Sequence, residues 1–249
     1  TRFEHSLGVA YLAMKMMRRL RERQPELDID PRDIELVGLA GLCHDVGHGP
    51  FSHAYDTRVR PDEDHEDRSV ALVRDRVGPA LGLTDVETEL VCTMIHPTPE
   101  DFEEFGWAVQ IVADPLAGID VDKMDYVCRD AYHLGIPLGC RPDRLIQGAR
   151  VIDKKLAYPR KNLADLDQLF FTRFRLHDQV YNHPVVVGVE LIVAEILRRT
   201  PRVPWRDNVD AAIYRARDTD PVVARLLERL ETRAIWKQVD QPGPDVQTV

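Results

Sequence analysis

The sequence predicts a mainly α-helical fold with at most a minor β-hairpin. Three observations support this: apolar residues recur at helical spacing in several segments, capping residues stand just before those segments, and residues 151–158 alone read as a hairpin. No internal repeat or low-complexity tract interrupts the pattern.

Residues 7–20 read as a helix with a basic exposed face, broken by Gln24, Pro25 and Glu26. Asp30 makes an N-cap with Pro31 at the first helical position and Asp33 in the first turn, opening an apolar helix through Leu36, Val37, Leu39 and Leu42. His44 and Asp45 fall on that helix, and Gly47, Gly49 and Pro50 end it. A polar stretch, 58–67, leads to a helix near 69–76. Thr84 and Glu87 form a capping box for the helix holding Leu90 to Ile95, closed by Pro97 and Pro99. Residues 118–134 and 163–181 read as longer helices, with the hairpin of 151–158 between them, turning at Asp153 and Lys154. Residues 185–198 are helical, Pro201 and Pro204 punctuate, two short amphipathic helices follow, and the tail 241–249 reads as disordered.

Composition narrows the function classes. The chain has 249 residues, 33 basic against 42 acidic, and a net charge of −9, so it offers no general attraction to nucleic acid or anionic lipid. A nuclease or nucleic-acid binder is disfavoured, because no basic arm is present. The longest apolar candidate for a membrane span, 185–196, is short and carries Glu190 and Glu195, which excludes it. Cys43, Cys92, Cys128 and Cys140 form no CxxC pair, arguing against a disulfide framework or a thiolate zinc site and for a reducing compartment, cytoplasmic or, in a eukaryote, nuclear. The start at Thr1, without methionine or signal peptide, suggests a piece of a longer protein.

The chemistry concentrates in three places. His44 and Asp45 stand in an otherwise apolar segment, where an imidazole and a carboxylate are costly to bury unless something pairs them; together they can occupy two positions on one divalent ion. His48 and His53 follow closely, His5 lies near the start, and the glycine turn is expected to bring His53 back toward His44. Asp122, Tyr126, Asp130 and His133 then fall on one stripe of the 118–134 helix, and Arg173, His177 and Tyr181 recur every four residues along 163–181. Two such stripes can line a cleft.

Residues 1–8 (TRFEHSLG), 40–53 (AGLCHDVGHGPFSH), His65 with Glu66, 118–135 and 171–183 together resemble the HD-domain deoxynucleoside triphosphate triphosphohydrolases, in particular the HD module of the SAM-and-HD-domain enzymes. The likeness runs to about residue 183. It implies a helical HD phosphohydrolase domain over 1–200, truncated at its start, followed by a C-terminal helical extension and tail over 201–249.

The resemblance implies one divalent metal ion, Mn²⁺, Fe²⁺, Zn²⁺ or Mg²⁺, held by His5, His44, Asp45 and Asp122. It assigns proton transfer and water orientation to His48, His53, His65 and Glu66. Arg2, Lys123 and Arg173 would bind the triphosphate, Asp130 the sugar 3′-hydroxyl, and Tyr126 and Tyr181 would crowd the 2′ position, with His177 on sugar or phosphate. The expected reaction converts a dNTP to deoxynucleoside and tripolyphosphate. Nucleotide effectors and a homo-oligomer, dimer or tetramer, are further implied, although Asp178 and Gln179 stand where relatives carry consecutive arginines. The competing readings are an HD phosphohydrolase acting on nucleoside monophosphates or cyclic nucleotides, which the segment around Lys123 disfavours, and an inactive nucleotide-binding scaffold, which the intact ligand set disfavours.

Overall fold

Thr1 begins the first helix: its hydroxyl accepts from the backbone N–H of Glu4, and the Glu4 carboxylate reaches back to the Thr1 nitrogen. This capping box starts α1 (Arg2–Arg23) earlier than the expected 7–20 and places Arg2 and His5 on the helix itself. The computed structural model describes residues 1–98, 100–102, 106–200 and 210–236, so Pro99, Pro201, Pro204 and the tail 241–249 lie outside the described residues. Among those described, the fold is mainly α, with one two-stranded sheet.

The chain divides into two units. The first comprises Thr1–His48 and Glu63–Leu176, the second Gly49–Asp62 and the chain from His177 onward. The division expected at residue 200 concerns where the phosphohydrolase module ends rather than where contacts are dense, and it stands as a proposal.

In the first unit α2 (Pro31–Cys43) follows its Asp30 cap, which Asp33 reciprocates. The helix stops at Cys43, so His44 and Asp45 lie in the turn immediately after it rather than inside it. α4 (His65–Leu72), capped by Asp64, starts earlier than the expected 69–76 and runs through a π-helical turn, Val73–Val77, into the short α5 (Gly78–Leu81). α6 (Asp85–Ile95) has the Thr84/Glu87 capping box. α7 (Val121–Leu134) is capped by Asp120 and ends at Gly135, whose left-handed backbone (φ 68°) closes the last turn. α8 (Pro142–Gly148), unexpected from sequence, has proline in its first turn. The hairpin pairs Arg150–Ile152 with Lys155–Ala157, antiparallel, and its turn residues Asp153 and Lys154 both take positive φ. α9 (Leu163–Leu176) is shorter than expected, because residues 177–181 form a π-helical turn.

α1 packs against α2 and α7, α2 against α6, and α9 against α7. Val9, Ala13, Met16 and Leu20 from α1 are buried, as are Val37 and Ala40 from α2, Met94 and Ile95 from α6, and Met124 and Val127 from α7. Burying them is the main favourable term in this unit. It also sets the start of α1, the end of α2 and the start of α7 side by side.

The second unit contains α3 (His53–Arg58), α10 (Pro184–Arg199), a 3-10 turn (Asp210–Tyr214) and α11 (Pro221–Glu231). Ile192, Val193, Ile196, Ile213, Val223 and Leu227 form its core, with Phe51 and Tyr55 packed on it. Phe51 and Ser52 take positive φ just before α3, in a turn closed by the Ser52 N–H on the Gly49 carbonyl at 2.9 Å, and the Phe51 N–H is held by Asp210 at 2.8 Å. Among the described residues no single helix is long and apolar enough to cross a membrane.

Candidate metal centre

Four ligand-bearing side chains converge in the first unit. His5 Nε2 lies 3.0 Å from Asp122 Oδ1 and 3.7 Å from Asp45 Oδ2, and His44 Nε2 lies 3.4 Å from Asp45 Oδ1 and 3.5 Å from Asp122 Oδ1. The two rings meet edge to face at 5.1 Å. His5, His44 and the Asp45 side chain are each about 8% exposed, whereas the Asp122 side chain is 31% exposed and forms the open side of the cluster.

The orientation of His44 reveals what the cluster fits. Its Nδ1 sits 2.8 Å from the carbonyl oxygen of Gly41, which accepts only, so Nδ1 carries the proton and the Nε2 lone pair faces the two carboxylates. That buried Nε2 makes no hydrogen bond. A buried imidazole lone pair aimed between two carboxylates fits a divalent cation, and two nitrogens with two oxygens suit an ion of borderline softness.

The electrostatics of the cluster agree. For His5, burial works against the charged ring, but hydrogen bonds to Asp122 and Asp125 outweigh it and push the pKa up to about 9. Burial also works against the Asp45 carboxylate, yet neighbouring His48, His44 and Arg2 hold it well below the usual carboxylate range. Asp122 is held low in the same way by His44 and His5. Both carboxylates are thus held in the charged form that can ligate a cation.

A second layer lies on Asp45. Arg2 donates to Asp45 Oδ2, so its guanidinium is engaged with an expected ligand. His48 and His65 stack face to face at 3.8 Å, with His48 Nε2 3.4 Å and His65 Nε2 4.0 Å from Asp45 Oδ1. Asp45, His48 and His65 form a further group with metal-ligand geometry. The stack exists because α4 starts directly on the turn carrying His44 and Asp45. A Cβ at Gly47 would lie 2.2 Å from the His65 carbonyl oxygen, so only glycine admits this approach. Fully buried Ser69 donates to the His44 carbonyl at 2.7 Å and accepts from the Gly47 N–H, while Arg68 Nε donates to the Gly47 carbonyl at 2.8 Å. Beside His65, burial and neighbouring Asp64 push the Glu66 carboxyl well above the usual carboxylate range.

The remaining expected contacts divide by unit. On α7, Lys123 Nζ donates to buried Asp120 at 2.6 Å, and Arg173 Nε donates to the Tyr126 hydroxyl at 2.7 Å, joining α9 to α7. Asp130 is half-buried two turns beyond Asp122, whereas His133, expected on the same stripe, is solvent-exposed. His53 opens α3 in the second unit, is exposed, and accepts a hydrogen bond from Thr57 at its carbonyl. His177 and Tyr181, also in the second unit, meet ring edge to face at 5.0 Å in the π-helical turn. Three residues of the first unit were missed from sequence: Asp125, 2.8 Å from His5 Nδ1, and Arg68 and Ser69, which clamp the His44 turn.

Comparison with known proteins identifies the family. The profile of the HD domain family matches residues 2–130. The chain is 37% identical over 205 residues to the "Deoxynucleoside triphosphate triphosphohydrolase SAMHD1 homolog" of Dictyostelium discoideum, covering 78% of this chain and 39% of that protein. It is 38% identical over 229 residues to "Deoxynucleoside triphosphate triphosphohydrolase SAMHD1" of Gallus gallus, covering 80% of this chain and 37% of that protein. A "Putative HD domain-containing protein L394" of Acanthamoeba polyphaga mimivirus is 34% identical, covering 79% of this chain and 47% of its own length. The chain therefore spans less than half the length of these curated relatives.

Proposed function

The chain belongs to the HD-domain family, and from that premise we propose that it is a metal-dependent dNTP triphosphohydrolase, releasing deoxynucleoside and tripolyphosphate. The observation that carries this reading is the convergence of His5, His44, Asp45 and Asp122, with the His44 Nε2 lone pair aimed into the cluster. The mixed nitrogen and oxygen set favours Mn²⁺, Fe²⁺ or Zn²⁺ over Mg²⁺, which prefers oxygen ligands. When bound, such an ion polarises a phosphoryl oxygen and lowers the pKa of water at the site.

The chain's own residues supply the rest. Lys123 and Arg173 flank Tyr126 beside Asp122 and place two cations where a phosphate chain can reach them, against the net negative charge of the protein. Arg2, engaged with Asp45, fixes that carboxylate and gives the phosphates a further positive edge. In the reaction, water oxygen bonds to the α-phosphorus, the bond from phosphorus to the 5′-oxygen breaks, and the 5′-oxygen leaves with a proton. His48, His65 and Glu66, whose carboxyl is raised by burial, form a proton-holding group next to Asp45. Tyr126 and Asp130 share one face of α7 and are assigned to the sugar. The roles of His53, His177 and Tyr181, nucleotide effectors, homo-oligomer formation and a cytoplasmic location rest on the resemblance and on composition.

The test is a substrate panel. The full chain, with Mn²⁺, Fe²⁺, Zn²⁺ or Mg²⁺ and with or without GTP, is incubated with dNTPs, rNTPs, nucleoside monophosphates and cyclic nucleotides. Consumption of dNTPs ahead of all the others is expected. Turnover confined to monophosphates or cyclic nucleotides would replace this reading with the competing phosphohydrolase one.

A further inference from the structure

His5 is the one imidazole of the cluster whose second nitrogen faces a carboxylate rather than a backbone carbonyl. Its Nδ1 lies 2.8 Å from Asp125 Oδ2. The carboxylate accepts and does not donate, so Nδ1 holds the proton and Nε2 is turned toward Asp122 and Asp45. Asp125 is itself immobilised: Arg129, one turn on along α7, donates from Nε to Oδ2 at 2.8 Å and from Nη2 to Oδ1 at 2.9 Å. The Asp125 side chain is 9% exposed, and Arg129 keeps it charged and oriented in that setting.

Space for the carboxylate comes from α1. A Cβ at Gly8 would stand 1.9 Å from Asp125 Oδ1 and 2.5 Å from Arg129 Nη2, so any side chain there would drive the pair away. Gly8 lies one turn after His5, and Asp125 one turn after Asp122, so the two helices present ligand and support together. The absence of a side chain at 8, the acid at 125 and the base at 129 form one device.

We propose that Asp125, locked by Arg129 and admitted by Gly8, is the positioning residue that sets the tautomer and orientation of His5 toward the metal. This rests on the metal-dependent reading above and adds a residue that does not itself touch the ion. A carboxylate behind a ligating imidazole fixes the ring and raises its basicity, and losing such a partner typically weakens metal binding by about 10–100-fold. An i to i+4 acid and base pair that merely tied α7 to α1 would affect stability and leave metal affinity alone.

The experiment measures Mn²⁺ affinity by titration calorimetry, and metal-free thermal unfolding in chelator, for the full chain and the variants Asp125→Asn, Asp125→Ala, Arg129→Met and Gly8→Ala. Affinity is expected to fall by about 10–100-fold in Asp125→Ala, less in Asp125→Asn, which keeps an acceptor oxygen, and by an intermediate amount in Arg129→Met. Gly8→Ala is expected to weaken Mn²⁺ as well, although it removes no polar atom. Should Asp125→Ala fail to fold, Asp125→Asn and Arg129→Met carry the comparison. Wild-type Mn²⁺ affinity in every folded variant, with only the unfolding temperature lowered, overturns the positioning role and leaves the metal reading standing. Absence of Mn²⁺, Fe²⁺, Zn²⁺ and Mg²⁺ binding in the wild type itself overturns both.

Discussion

Arg173 donates a hydrogen bond from Nε to the hydroxyl of Tyr126 at 2.7 Å, tying a cation of α9 to a ring on the helix that carries Asp122. The ring therefore has two tasks, filling space with its edge and anchoring a guanidinium with its oxygen. Tyr126→Phe separates them. Losing one such hydrogen bond costs about 0.5–1.5 kcal/mol, so KM for dNTPs is expected to rise roughly 2- to 10-fold with kcat little changed. Tyr126→Ala is expected in addition to relax discrimination against rNTPs. Steady-state kinetics on dATP and ATP check both; identical parameters for Tyr126→Phe and wild type would remove Arg173 from phosphate binding.

Asp120 supports α7 from below. Its Oδ1 caps the helix at the Lys123 N–H, 2.9 Å away, while its Oδ2 takes the Lys123 ammonium. Breaking a buried pair by removing one charge typically costs about 3–5 kcal/mol. Lys123→Met leaves the buried Asp120 carboxylate without that partner, and is expected to lower metal-free stability by an amount of that order as well as weaken dNTP binding. Asp120→Asn retains the cap and is expected to lose less. Chelator-treated thermal unfolding of both variants reads the difference, and equal losses would mean that the uncompensated Asp120 carboxylate costs nothing beyond the lost ion pair.

Ligand loss has a signature separate from activity. An ion that binds the folded chain alone raises its unfolding temperature by mass action, by about 2.7 kcal/mol at a hundredfold excess over Kd. Mn²⁺ is expected to stabilise the wild type and to have no effect on Asp122→Asn or His44→Ala. Elemental analysis of the same preparations should find metal in the wild type only.

The His5 pKa, raised to about 9 against an ordinary 6.5, carries a pH dependence with a definite sign. In the metal-free chain the stability from protonated His5 is fully present below pH 6.5 and is lost as pH climbs through about 9. Metal binding must displace that proton from Nε2, so Mn²⁺ affinity is expected to rise with pH across the same window. Calorimetry in buffers of different ionisation enthalpy counts the protons released. Zero release at neutral pH would contradict the placement of His5 on the ion.

What the sequence made legible was local. Asp30 with Asp33 and Thr84 with Glu87 act within one turn, and both caps stand where the residue types place them. The capping box of Thr1 was overlooked because it uses the first residue of the chain, and α8 was overlooked because seven residues are too few to show a period. His44 and Asp45 were placed on a helix because the apolar pattern continues to Cys43, whereas the clamp that turns the chain there comes from Arg68 and Ser69 on α4. Asp125 escaped notice for the same reason: its partner His5 is 120 positions away in sequence, and nothing local distinguishes it from an ordinary helical acid. His44 and Asp45 stood out because a histidine and an aspartate in apolar surroundings demand compensation, whereas His5 and Asp122 joined them as ligands only through the family resemblance.

The most direct test of the proposed function is the bond that breaks. The full chain, loaded with Mn²⁺, is given a dNTP in ¹⁸O-water, and the products are separated and weighed by mass spectrometry. Attack of water on the α-phosphorus with the 5′-oxygen leaving predicts unlabelled deoxynucleoside and tripolyphosphate carrying one ¹⁸O. Pyrophosphate with dNMP, single phosphate with dNDP, or label in the nucleoside hydroxyl would contradict it.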